Sequence, residues 1–216
     1  MTSDALSGVA PAAGTLEPER DTGTMSSTPT FTSTEWVVEA VAWDDPRAQA
    51  LRGEMDAEIG PRYADRLEGV SADVAARLSS ALAVNAESIV STIIVRDAAH
   101  SPVGHAALRD LGGEFTDALE VKRVYVAPAA RGTGVSRLLM AELERIAAER
   151  GAQRLILQTG DRQPEAVTLY ERIGYTRIPI YPPYLEISFS QCFEKPVSAR
   201  PESAGSEQLC ESQIVA

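Results

Sequence analysis

Six consecutive residues, Arg131-Gly132-Thr133-Gly134-Val135-Ser136, join the apolar run Val124-Tyr125-Val126-Ala127-Pro128 to a helical pattern. Glycines at 132 and 134 let the backbone approach a ligand, several amide hydrogens then point one way, and a helix start adds roughly half a positive charge. Such a turn can grip a compact anion such as a pyrophosphate. It can equally be a tight strand-to-helix turn with Arg131 as a solvated loop residue, and spacing alone leaves both readings open. A dinucleotide fingerprint would want a third glycine after an early strand and an acidic residue about 20 positions on. Here the turn comes late and Ser136 takes the last place, while the lack of a following Gly-Lys-Ser/Thr excludes a Walker loop. Cys192, Cys210, His100 and His105 show no ligand spacing, so neither a metal site nor a disulfide framework is expected. His105, inside a strand pattern, is a reserve acid or base near neutral pH, although a lone strand histidine is more often structural.

The elements around the turn follow from periodicity. Trp36 to Val41 reads as a strand, Asp44 or Asp45 can cap a helix from Pro46 towards Ile59, and Gly60-Pro61 should end it. Val74, Leu78 and Leu82 place a second helix within 71–86. Strands follow at 89–96, 103–109 and 119–126, the last two separated by the turn signal Leu111-Gly112-Gly113-Glu114. Pro128 stops the pairing of the strand before it. From Val135 the residues Leu138, Leu139, Leu143, Ile146 and Ala147 form one apolar stripe that Gly151 closes. A short buried strand at 154–158, a helix from Gln163 to Ile173 closed by Gly174, and strands near 175–178 and 186–195 complete an α/β domain.

The chain has 216 residues and is 44% hydrophobic, enough for one good core. Residues 1–34 hold 19 Ser, Thr, Pro or Gly and should be a disordered tail, with Met25 a possible second start; 198–216 should be a second disordered tail. The folded unit is then 35–197. With 20 basic and 31 acidic residues the net charge is −11, which argues against a nucleic-acid partner and would steer a cationic acceptor inward. No run approaches the roughly 18 apolar residues of a membrane span, and the N-terminus lacks signal-peptide or transit features, so no membrane partner and a cytoplasmic location are expected.

Val124-Tyr125-Val126-Ala127-Pro128 followed by the glycine turn resembles the acetyl-CoA signature of GCN5-related N-acetyltransferases (GNAT), Arg/Gln-x-x-Gly-x-Gly/Ala, with Ser136 in place of the final small residue. Gln163 to Tyr175 is similar to the family's Asn-x-x-Ala-x-x-Leu-Tyr-x-x-x-Gly-Phe/Tyr helix, with Gln163 standing for Asn. The resemblance covers 35–197, extends to Glu120–Val126 and Ser190–Lys195, and looks closest to a bacterial small-molecule subgroup. It implies a mixed, mostly antiparallel sheet of about six to seven strands flanked by helices, with a splayed central strand pair.

It also implies acetyl-CoA as acyl donor, with no metal. The donor would be held by Val124, Tyr125 and Val126 through their backbone, by Arg131, Gly132, Thr133, Gly134, Val135, Ser136 and Arg137 around the diphosphate, and by Gln163. Tyr170 is the implied general acid at the cofactor sulfur; as a residue it can equally be a core tyrosine. Glu120 occupies the position from which some relatives draw a general base. It also alternates with Lys122, Val124 and Val126 on one expected strand face, and a salt bridge to Lys122 or Arg123 is the competing reading. The loop Ile178-Pro179-Ile180-Tyr181-Pro182-Pro183-Tyr184, with Arg62-Tyr63, should rim the acceptor pocket or serve as a rigid connector. The implied activity is acetyl transfer to a primary amine of a small molecule or amino acid in a ternary complex, with a homodimer possible. The alternatives are a non-catalytic acyl-CoA binding or sensing module and a protein or peptide N-acetyltransferase.

Overall fold

A computed structural model describes residues 36–197. The two expected tails, with Met25 and Cys210, lie outside the described residues. The chain runs β1 (Val37–Val41), α1 (Pro46–Ile59), α2 (Ala72–Leu82), β2 (Ile89–Arg96), β3 (Pro102–Arg109), β4 (Ala118–Val126), α3 (Val135–Glu149), β5 (Arg154–Gly160), α4 (Pro164–Arg172), β6 (Thr176–Ile178) and β7 (Ser190–Pro196). The order of strands and helices is the expected one.

The strands form one seven-stranded sheet, β1-β2-β3-β4-β5-β7-β6, antiparallel except for the parallel pair β4–β5. A parallel pair needs a crossover, and α3 supplies it. Its stripe Val135, Leu139, Met140, Leu143 and Ala147 is buried against Ile93, Val95, Leu108, Val121, Leu155 and Leu157. The helix start lies so close to β3 that a Cβ at Gly104 would meet Val135 Cγ1 at 2.8 Å, so residue 104 has room for glycine only.

The opposite face of the sheet is covered by α1, α2 and the 178–189 loop. On α1, Asp45 caps the helix by accepting from Arg47 N at 2.8 Å, and Ala48 and Leu51 pack on Ile94 and Tyr125. As the sequence suggests, α1 ends at Ile59, with Gly60 as its C-cap. Proline is tolerated at a helix start, and residues Gly60–Leu67 continue as a 3-10 segment. No helix among the described residues is long and apolar enough to cross a membrane.

Candidate active site

The parallel pair parts along its length. Pairing runs from Ala118–Arg154 to Val121–Leu157 and goes no further, although β4 continues to Val126 and β5 to Gly160. Beyond the split β5 stays paired with β7 and β4 with β3, so one edge of β4 faces an open wedge. An unpaired strand edge is a template for an extended amide-bearing chain.

A bulge aims that edge. Between the pairs His105–Tyr125 and Ala107–Lys122, one residue of β3 stands against two of β4, and Arg123 takes the left-handed φ of 55°. The extra residue breaks the alternation read from the sequence. Glu120 and Lys122 share a face with Tyr125, towards α1 and α2, whereas Val124 and Val126 join Val121 towards α3. The expected common face of Glu120, Lys122, Val124 and Val126 is therefore corrected.

His105 pins the bulge. Its Nε2 lies 3.1 Å from Arg52 Nη1 and its Nδ1 lies 2.8 Å from the Arg123 carbonyl oxygen. A guanidinium only donates, so Nε2 accepts and Nδ1–H donates to the carbonyl. Burial pushes the imidazole down to about 4, and it is neutral near pH 7. Its role is positional, and its ring is fully buried beside Trp43.

The glycine turn has the expected geometry. Gly132 and Gly134 adopt φ of 79° and 97°, and Gly134 precedes α3 in the left-handed region. The amides from Gly132 to Arg137 donate to no backbone carbonyl among the described residues. They are the free first-turn donors of a helix plus the loop before it, an arrangement able to receive an anion. Thr133 Oγ1 closes the turn on the Ala130 carbonyl at 2.6 Å. Val135 contributes only its amide, its side chain being buried, while Ser136 and the exposed Arg137 lie on the first turn. Arg131 is not a free loop side chain: Nε donates to the Val126 carbonyl at 3.0 Å and Nη2 pairs with Glu58.

A cavity of about 650 Å³ opens between the wedge, α1, α2 and the 3-10 segment. Val124, Gln163 and Tyr170 line it, as do Leu78, Leu82, Lys122 and Phe189. Tyr170 is buried, with its ring 5.8 Å from Tyr175 and 6.0 Å from Phe193. Its hydroxyl has no hydrogen-bond partner among the described residues, and burial alone pushes it up to about 12. The phenol is a proton donor at neutral pH. Gln163 is the N-cap of α4, its Nε2 3.5 Å from the Tyr63 hydroxyl. Tyr63 does more than the rim role its sequence position suggests. Its hydroxyl also accepts from Arg162 N at 2.9 Å, and a Cβ at Gly160 would meet that hydroxyl at 2.1 Å. Gly160 is thus required for the 3-10 segment to lie on the end of β5, a constraint with no local sequence signal.

Glu120 lies behind the cavity wall. It is fully buried, pairs with Arg109 Nε through Oε2, and accepts through Oε1 from the Tyr181 hydroxyl at 2.9 Å and the Tyr184 hydroxyl at 2.6 Å. Its hydrogen-bonded ion pair is with Arg109, the cross-strand neighbour on β3, while the expected salt bridge to Lys122 is also present, with Nζ at 4.0 Å, and the one to Arg123 is not formed. Arg123 pairs with Asp56 instead. Tyr181 and Tyr184 are buried and turned inward, not lining the cavity as a rim. The sequence gives no hint of Arg109, because the partner sits on another strand at a register set only by the sheet.

A mostly antiparallel seven-stranded sheet whose single parallel pair parts is the architecture of acyl-CoA N-acyltransferases. The chain belongs to the acetyltransferase (GNAT) family, whose profile matches residues 62–175. It is 36% identical over 78 residues to an IAA acetyltransferase of Azospirillum brasilense, covering 36% of this chain and 51% of that one. It is 34% identical over 76 residues to the uncharacterized N-acetyltransferase YjgM of Escherichia coli (strain K12), covering 35% and 46%. The matches thus span about half the length of these curated relatives. A crystal structure assigned as an acyl-CoA N-acyltransferase, from Klebsiella pneumoniae, superposes with a TM-score of 0.58 at 27% identity, covering 75% of this chain and 97% of that chain. Acetyl transfer from acetyl-CoA is the general activity of the family.

Proposed function

We propose that the protein transfers an acetyl group from acetyl-CoA directly to a primary amine of a small molecule within a ternary complex. The reading rests chiefly on one observation: the free edge of β4 leads from the unpaired amides of residues 132–137 to the unpartnered hydroxyl of Tyr170, which lines the same cavity as Val124. Amides of 132–137 bind the diphosphate, and the backbone of Val124, Tyr125 and Val126 pairs with the pantetheine arm as an added strand. An amide of the bulge stabilises the developing oxyanion.

The amine nitrogen bonds to the acyl carbon and the carbon–sulfur bond breaks. Tyr170 gives its proton to the departing sulfur, and the amine's surplus proton passes to water at the open side of the cavity. Glu120 is not among the residues lining the cavity, so it serves as counter-charge to Arg109 and Lys122, and the direct base role implied by the family resemblance is not part of this proposal. The test is release of free thiol from acetyl-CoA across a panel of amines, together with calorimetry of acetyl-CoA binding. Binding with amine-dependent thiol release is expected; absence of binding would overturn the reading.

A further inference from the structure

Beneath the acceptor side of the cavity lies a charge cluster that does not balance. Arg109 and Lys122 face a single carboxylate, Glu120, and the two phenols between them stay neutral because burial pushes both well up. One positive charge is in excess. The hydrogen bonds say where it resides. Glu120 is saturated by Arg109, Tyr181 and Tyr184. The Tyr184 hydroxyl donates to Glu120 and accepts from Arg109 Nη2 at 2.9 Å and Lys122 Nζ at 2.7 Å, which occupies both of its lone pairs. Lys122 thus makes one hydrogen bond among the described residues and, with Glu120 Oε1 4.0 Å away, leaves two ammonium hydrogens without a hydrogen-bond acceptor on a residue only 7% exposed.

Of these charged residues only Lys122 lines the cavity. The other charged residues lining it are already matched: Arg123 pairs with Asp56, and Arg66 pairs with Asp161. The remaining wall carries no further charge and includes an apolar set, Ala75, Leu78 and Leu82 from α2 with Phe189, beside polar residues such as Ser79, Gln158 and Thr159. A buried cation with spare donors beside an apolar wall fits an anionic group on a compact apolar body.

We propose that Lys122 makes the acceptor site selective for amines that also carry a carboxylate, with the carboxylate on the Lys122 ammonium and the apolar body against α2 and Phe189. The proposal rests on the acetyl-transfer reading above and names its acceptor class. The ammonium's titration supports it: burial first, then the Arg109 and Arg123 charges, lower Lys122 to about 8 against the pull of Glu120 and Cys192. A carboxylate close to Nζ would oppose that burial effect and keep the lysine charged.

The experiment compares apolar amino acids with their primary amides as acceptors, by kcat/KM for thiol release, in the full chain. A charge-assisted contact of this kind is worth about ten- to a hundredfold, so acids should exceed their amides by at least tenfold. In Lys122→Met the ratio should collapse towards one. Amides accepted as well as acids, a panel in which no acid is accepted, or a preference that survives in Lys122→Met would each overturn the proposal. In the last case, an equal loss with both substrates would point to proton transfer by Lys122. If Lys122→Met does not fold, wild-type protein saturated with CoA is titrated with N-acetylleucine and N-acetylleucinamide. Binding at least tenfold tighter by the acid supports the proposal, and equal or undetectable binding overturns it. Failure of acetyl-CoA itself to bind would instead remove the underlying acetyl-transfer reading.

Discussion

Replacing Tyr170 with Phe removes one oxygen and leaves the ring that packs between Tyr175 and Phe193. Two effects then separate cleanly. The hydroxyl makes no hydrogen bond among the described residues, so its loss strands no partner, and stability should change by less than about 1 kcal/mol, in either direction. The rate should respond far more. Loss of a positioned proton donor costs about 10² to 10⁴ in favourable cases, and a tenfold loss, about 1.4 kcal/mol of barrier, is the minimum expected here. A phenol raised to about 12 matches its task, since the desolvation that raises it also raises the thiolate formed in the same cleft. Stopped-flow or steady-state thiol release should show kcat down at least tenfold, with acetyl-CoA affinity within about threefold and an unchanged melting temperature. Because Tyr170 stays protonated beyond its ordinary value of 10, the wild-type rate should not lose an acid group between pH 7 and 10. An unchanged kcat in Tyr170→Phe would refute the assignment, whatever the melting temperature.

Glu120→Gln leaves Arg109 and Lys122 buried without a counter-charge, and denaturant unfolding should show a loss of about 3–5 kcal/mol. A loss below about 1 kcal/mol would mean that the cluster is more hydrated than its burial indicates. His105 is held near 4 against an ordinary 6.5, so the unfolded chain binds its proton first as pH falls. The neutral imidazole's contribution is therefore complete above about pH 6.5 and is lost on acidification towards 4. At about 1.4 kcal/mol per pH unit, roughly 2 kcal/mol should be gone by pH 5, and urea titrations of His105→Gln should lack that component. At Gly134 a Cβ would meet nothing within 4 Å, so Gly134→Ala tests backbone conformation alone. The left-handed φ of 97° should cost about 1–2 kcal/mol and weaken acetyl-CoA binding about tenfold by calorimetry; unchanged affinity would remove the turn from the donor site.

Much of this architecture is carried by local rules. The stripe from Val135 to Ala147 needs only a period of 3.6 to declare a buried helix, and the glycines at 132 and 134 need only their missing Cβ to mark the turn before it. Tyr170 on α4 follows from the same periodicity plus the family likeness of its motif. Where the sequence misleads, the deciding partner is remote in the chain. Strand alternation fails at Arg123 because a single bulge, pinned by His105 from the neighbouring strand, shifts every later side chain to the other face. Gly60-Pro61 reads as the end of α1 and is its end, but the 3-10 segment Gly60–Leu67 that follows, with Tyr63 set on Gly160, has no local signal.

The acceptor side was the least legible. Arg109, Glu120, Lys122, Tyr181 and Tyr184 come from two strands and a loop, and nothing in their spacing brings them together. The sequence by itself determined the donor turn and its helix, since backbone conformation and one-dimensional periodicity are local properties. Which charges face each other, and which cation of the cluster lines the cavity, was decided only by sheet register and loop packing. Electrostatic partnership depends on distance in space, and that distance is set when the strands pair.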